Sequence, residues 1–186
     1  MNIRAEETLN KKGDVVVMKK IMNFVLIVLC FFSFNIFVNA AAKANSAIQE
    51  IRNEKNRTDK EKLTVRKKEL DDEPMGGEAS YYYKGNVLKK IVSTRYFETA
   101  EEYREYYIKN NKVYFMYEKL MATEHTIWTE NPKVLGIYET RYYFDSNGKM
   151  VRYVDKNGKI HENDMEMKKV DKELRKYKPN FLGNML

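Results

Sequence analysis

The chain has 186 residues, of which 34 are Lys or Arg and 27 are Asp or Glu, so its formal net charge is +7. A single cysteine excludes a disulfide-stabilised scaffold and a metal site built from several thiolates. The modest excess of basic residues argues against a nucleic-acid-binding protein with a clustered basic surface.

An apolar segment near the start has the pattern of a secretory signal peptide. Lys19 and Lys20 form its basic region, residues 21–38 are almost wholly apolar, and Ala40 is the small residue that signal peptidase requires before the cut. We therefore predict that residues 1–40 are an over-extended start, with Met18 as the true initiator, followed by a leader cleaved near Ala40. The mature protein would be secreted or periplasmic.

An uncleaved leader is the alternative. The 18 residues from 21 to 38 are just long enough to span a bilayer, and retaining them would anchor the chain in the inner membrane. Cys30 follows Leu29 and not a small residue, so we do not expect a lipid-modified cysteine.

Residues 41–77 are highly charged and contain few large apolar side chains. Ser46 is a good cap for a helix with Ile48 and Ile51 on one side, but the next large aliphatic residue is Leu63. We expect a solvated helix or linker that lifts the following domain from the membrane; a helix that binds a partner is the alternative.

Residues 78–186 form the predicted domain, in which tyrosine dominates. All 14 tyrosines lie between Tyr81 and Tyr177. Residues 81–91, 106–115 and 142–151 each have the pattern of an aromatic strand, a short polar turn and a second apolar strand. The fold class predicted is α+β, with a single antiparallel meandering sheet of Tyr-rich hairpins.

The strand before the Asn147-Gly148 turn predicts the two faces of this sheet. Its even-numbered residues from Tyr138 to Phe144 form a strongly aromatic face, and the odd-numbered residues between them form a mixed, outward face. The candidate interaction surface consists of Glu139, Arg141, Tyr143 and Trp128.

A C-terminal helix is predicted to cover the aromatic face. Asn163 is the expected N-cap, and Pro179 ends the helix. The apolar stripe, at spacings of three and four residues, is Met167, Val170, Leu174 and Tyr177.

The Tyr-Tyr-Phe of residues 142–144, followed by Asn-Gly-Lys and an apolar strand, resembles the tyrosine-rich hairpins of bacterial MORN-variant repeat proteins. It is also similar to a family of small secreted bacterial proteins. The likeness covers residues 81–91, 106–116 and 142–153, and the uneven spacing of these segments departs from a regular repeat. The resemblance implies secretion and contact with proteins, and it carries over no catalytic residue.

The residues that usually perform catalysis are sparse. The two histidines, His125 and His161, show no short metal-ligand spacing, and we find neither a nucleophile elbow nor a phosphate-binding loop. We therefore predict no catalytic, cofactor-binding or metal-binding residue. The acidic cluster of Glu98, Glu101, Glu102 and Glu105 is interpreted as a solvated turn.

These patterns favour an exported, non-enzymatic binding module of the bacterial envelope. Its partner would be a protein or an envelope glycan, and nucleic acid is not expected. The alternative is a small secreted hydrolase or metal-dependent enzyme that uses His125 and nearby acids.

Overall fold

The computed structural model describes residues 45–71, 75–124, 126–127, 129–177 and 182–183. The predicted leader, with Met18 and Ala40, lies outside these residues, as do His125 and Trp128. Residues 45–60 form helix α1, and Met165–Lys176 form helix α2. The strands are β1 Thr64–Glu69, β2 Gly77–Lys84, β3 Val87–Phe97, β4 Ala100–Lys109, β5 Lys112–Thr123, β6 Val134–Phe144, β7 Met150–Val154 and β8 Ile160–His161.

The eight strands form one antiparallel sheet in the order β1 to β8, so that each strand pairs with the next one along the chain. The predicted single antiparallel meander is therefore present, together with two helices. Meanders of this kind form because short polar turns return the chain directly to the neighbouring strand.

Two of the turns use the same chemistry. Gly148 and Gly158 have φ angles of 79° and 80°, a left-handed conformation that glycine adopts without steric cost. Three residues before each glycine, the side chains of Asp145 and Asp155 accept hydrogen bonds from the backbone amides two and four residues later, at 2.8–2.9 Å. These carboxylates hold the β6–β7 and β7–β8 turns closed.

Helix α2 packs on one side of the sheet, which we call the α2 face. Its Met167 is buried there with Tyr106, Met116, Tyr142 and Met150. The N-cap is Asp164, whose side chain accepts a hydrogen bond from the Met167 amide at 2.8 Å. The prediction of Asn163 as the cap is wrong by one residue, because Asn163 is left-handed, with φ of 57°.

Helix α1 packs on the opposite side, the α1 face. Ile48 is 2% exposed and lies in a cluster with Tyr107, Tyr114, Phe115 and Tyr143. The solvated helix or stalk expected for this segment is therefore wrong for residues 45–60. Two isoleucines suffice because the sheet supplies large aromatic rings, on which a short apolar stripe can rest.

Neither helix of the described part of the chain has the length and the apolar composition that crossing a membrane requires.

Replacing Ile48 with Ala tests the packing of α1. We expect the free energy of unfolding to fall by about 2–4 kcal/mol, because a buried aliphatic side chain is lost and a cavity remains. Urea denaturation of the purified protein measures this, with Gln49→Ala on the exposed side of the same helix as the control. Equal, small effects of the two substitutions would show that α1 is not packed on the sheet.

Candidate functional site

Helix α1 crosses the strands near one end. The Arg52 guanidinium lies 5.9 Å from the centre of the Tyr143 ring on β6, and the Lys55 ammonium lies 5.0 Å from that of Tyr107 on β4. The last turn of the helix reaches β3, where Lys90 Nζ is 3.2 Å from Asp59 Oδ1. Because the helix runs across the strands, it covers only a short length of each one.

A polar network joins the end of α1 to the sheet. The Tyr107 hydroxyl lies 2.7 Å from Asp59 Oδ1 and 2.8 Å from Glu105 Oε2 and directs its proton toward them. Lys90 Nζ donates to the same hydroxyl at 2.8 Å and lies 3.2 Å from Glu105 Oε1. The network fixes the helix over the row of residues at Lys90 and Tyr107.

The electrostatics of this network keep both carboxyls ionised. Burial alone raises the pKa of Asp59, but hydrogen bonds from Lys55 and Tyr107 and the charge of Lys90 bring it below its ordinary value. Burial likewise opposes ionisation of Glu105, whose pKa is nevertheless lowered by its hydrogen bonds and by Lys90. Two carboxylates therefore share one ammonium and one hydroxyl.

Beyond this network no second helix of the described residues packs on the α1 face. The register of the strands places three rows of side chains there, and they are exposed or half-exposed. Ile137 is 54% exposed, and the side chains of Glu139 and Arg141 are 44% and 41% exposed. We call this region the open surface; it consists of Glu101, Tyr103, Tyr117, Lys119, Met121, Ile137, Glu139 and Arg141.

The side chains of the open surface hold one another in place. Arg141 donates to Glu139 at 2.7 Å, and its guanidinium lies 5.8 Å from the centre of the Tyr117 ring. Tyr117 packs edge-on against Tyr103 with ring centres 6.4 Å apart. The Tyr103 hydroxyl donates to Glu105 at 2.7 Å, which ties the open surface to the network under α1. Burial and the Glu139 carboxylate raise the pKa of Tyr117 to about 12, so its hydroxyl remains protonated at neutral pH.

The residues of the predicted interaction surface have different positions. Glu139 and Arg141 lie together on the open surface. Tyr143 does not belong to it: the side chain is 3% exposed, because α1 covers its end of β6. Trp128 lies outside the described residues. From the sequence we did not predict that β4 and β5 contribute to the open surface. The spacing of two residues between Tyr117, Lys119 and Met121 on β5, opposite Tyr103 on β4, indicated a shared face.

The acidic cluster predicted to be a solvated turn lies largely on β4, and this correction follows from strand alternation. Glu101 and Glu105 are on the α1 face, whereas Glu102 points to the α2 face and is 8% exposed. There Glu102 pairs with Arg95 and, at 2.7 Å, with Arg104. Only Glu98 occupies a turn.

Arg104 extends this network on the α2 face. Its Nε donates to Glu118 at 2.7 Å, and the ring of Tyr177 lies 4.8 Å from Arg95 and 5.8 Å from Arg104. Buried charges are tolerated when each has an opposite partner and hydrogen bonds. The charges of this face thus serve internal pairing.

His161 occupies a structural position at the start of α2. Its Nδ1 lies 2.7 Å from Asp164 Oδ2, its Nε2 lies 3.3 Å from Asp155 Oδ2, and its ring stacks on Tyr153 at 5.3 Å. The hydrogen bond to Asp164 raises the pKa of His161, burial opposes this rise, and Asp155 supports it. The His161 ring therefore links the β7–β8 turn to the helix cap.

A cleft of about 810 Å³ lies between α1 and the β4–β5 and β6–β7 turns. Its floor includes Ile51 and Tyr114, and on its rim Glu54 pairs with Lys109 at 3.1 Å. No histidine is among its described lining residues. Within the described residues, no group of three His, Cys, Asp or Glu side chains is placed to hold a metal ion.

Comparison of the chain with protein-family models, with curated proteins and with solved structures found no match.

The His161 bridge predicts a loss of stability at alkaline pH. The folded-state pKa of His161 is raised above the ordinary value of about 6.5, so its stabilisation is complete below that value and is lost as the pH rises through the folded pKa. Urea midpoints from about pH 6 to about pH 9 should fall in the original protein and stay flatter in His161→Gln.

The variant Asp164→Asn is the matched control. It keeps an N-cap acceptor for Met167 but removes the charge beside His161, so the fall should move to lower pH. Lys159 opposes and Asp155 supports protonation of the same ring, and both stay unchanged. Parallel pH profiles of the original protein and His161→Gln would contradict the bridge.

Proposed function

We propose that this chain is an exported, non-enzymatic module of the bacterial envelope that binds another protein through its open surface. The Tyr-rich hairpins supply the aromatic side chains of that surface, and the charged helix α1 limits its extent.

The observation that carries this proposal is the composition of the open surface. Two tyrosines, a methionine, an isoleucine and an arginine lie side by side with part of their surface in solvent. Aromatic residues, Met and Arg are enriched at the centres of protein interfaces. Such residues beside Glu139 and Lys119 offer both apolar contact and charge complementarity to a partner.

The proposed location is supported by the leader pattern of residues 19–40, which precedes the described part of the chain. Cleavage near Ala40 would release the module, and retention of residues 21–38 would tether it to the inner membrane. In both cases the open surface would be available outside the cytoplasm.

The alternative enzyme hypothesis depends on His125, which lies outside the described residues. The other histidine, His161, is 4% exposed and is engaged by two aspartates, so its geometry favours the structural role given above.

A charge exchange tests the binding surface. The double substitution Glu139→Arg with Arg141→Glu keeps an ion pair within β6 but reverses the charge pattern that a partner meets. We expect the free energy of unfolding to change by less than about 0.5 kcal/mol. Affinity for the partner should fall at least about tenfold.

The partner is first identified with a photo-crosslinking amino acid at Lys119 in exporting cells, and its purified form is then titrated by calorimetry. Lys168, on the exposed side of α2, is the crosslinking control. The exchange Glu173→Lys with Lys176→Glu, an exposed pair on α2, is the matched affinity control. Crosslinks to glycan alone, or equal loss of affinity in both exchanges, would overturn the proposal.

A further inference from the structure

Seven of the eleven residues of strand β6 have an unpaired edge. On one side β6 pairs with β5 from Val134 to Tyr143, with a bulge at Leu135, which has no partner in β5; on the other side its pairing with β7 begins only at Arg141. Residues 134–140 thus pair with no other strand of the described chain on that side. Backbone N–H and C=O groups along such an edge are ready to pair with an added strand.

The edge at β1 and the free edge of β6 differ in how they resist such pairing. Strand β1 is exposed throughout and carries Arg66, Lys67 and Lys68, which is the usual protection of a sheet edge. The free part of β6 has a bulge at Leu135, which also protects an edge, but it exposes large apolar side chains. Their exposed fractions are 47% for Val134, 59% for Leu135, 54% for Ile137 and 38% for Tyr138.

The sequence around Gly136 is self-complementary. When two copies of β6 run antiparallel with Gly136 opposite Gly136, and the bulge at Leu135 straightens on pairing, Leu135 of one copy faces Ile137 of the other. In the same register Val134 faces Tyr138 and Lys133 faces Glu139. Every apolar residue meets an apolar one, and the charged residues that flank them meet with opposite sign.

Neighbouring registers lose this match. Moving the centre of pairing to Ile137 places Glu139 opposite Leu135, and moving it to Leu135 places Lys133 opposite Ile137. Pro132, which has no N–H group, ends the pairing beyond Lys133. The register centred on Gly136 is therefore favoured by both charge and hydrophobicity.

Gly136 itself fits the centre of such a pair. A Cβ atom at this position would come within 2.9 Å of the Tyr138 hydroxyl, so the Tyr138 ring lies over the glycine. Because glycine has no side chain, two backbones can approach closely at the centre of the pair, and the Tyr138 ring supplies the apolar contact that the glycine lacks.

From this edge we propose that two copies of the chain associate through antiparallel β6–β6 pairing centred on Gly136, which joins their sheets into one. The two-fold axis is perpendicular to the sheet and keeps the α1 face of both copies on the same side. The two open surfaces then lie next to each other and present one enlarged surface. This inference goes beyond the proposed function, since the open surface can bind a partner in the monomer as well.

Disulfide trapping at Gly136 tests the register. Directly opposite residues of antiparallel strands have Cα atoms about 4.5–5.5 Å apart, which suits a disulfide. In a Cys30→Ser background, Gly136→Cys should form a covalent dimer on mild oxidation. Val134→Cys, which faces Tyr138 and not itself, should form far less. Equal yields in the two variants would overturn the proposal.

The oligomeric state provides a second readout that avoids the glycine. Light scattering of the purified protein should give twice the chain mass, and Ile137→Lys should give a folded monomer by circular dichroism. Val65→Lys on the β1 edge, at a residue 45% exposed, should leave the dimer intact. A monomeric original protein would overturn the dimer and leave binding at the open surface unaffected.

Discussion

A helix that lies across a strand covers only a short part of the length of that strand, and the arrangement of this protein depends on that constraint. Strands β4, β5 and β6 have 10–12 residues and are roughly 33–40 Å long, whereas a helix is about 10 Å wide. Helix α1 runs across these strands at one end and therefore covers about a third of their length. The open surface is the geometric consequence, because no other helix among the described residues packs on that face.

Polar and cation–π contacts fix both helices to the sheet. Asp59 on α1 contacts Lys90 and Tyr107, which also bind Glu105, while on the opposite face Tyr177, just after α2, lies over Arg95. Ionic networks of this kind add orientation more than stability, since desolvation offsets much of their attraction. They place each helix at a defined position on a sheet whose aromatic residues would tolerate several. The extent of the open surface is thereby set by polar contacts and not by apolar packing alone.

The meander and the C-terminal helix could be predicted from local patterns, because Asn-Gly turns and period-two strands depend on neighbouring residues. The covering of both faces could not. Tyr143 alternates with Tyr142, and the local sequence does not indicate that Tyr143 is buried. Its burial depends on Ile48, about a hundred residues earlier in the chain. The burial of Glu102 likewise required Arg95 and Arg104 on the same face of paired strands. The sequence predicted part of the open surface, namely Glu139 and Arg141. Strand alternation determines which face a side chain lies on, but not how much of the strand a helix covers.

The most direct test of the account is the accessibility of one position on the open surface, inside and outside the cell. Lys119→Cys, in a Cys30→Ser background, is treated with a membrane-impermeant maleimide, and Lys168→Cys on α2 serves as the reference. We expect rapid labelling of both cysteines in the purified protein and, in intact exporting cells, selective protection of position 119. Equal labelling of the two positions in cells, or protection of position 119 in the purified protein, would contradict the claim that this surface is open until a partner covers it.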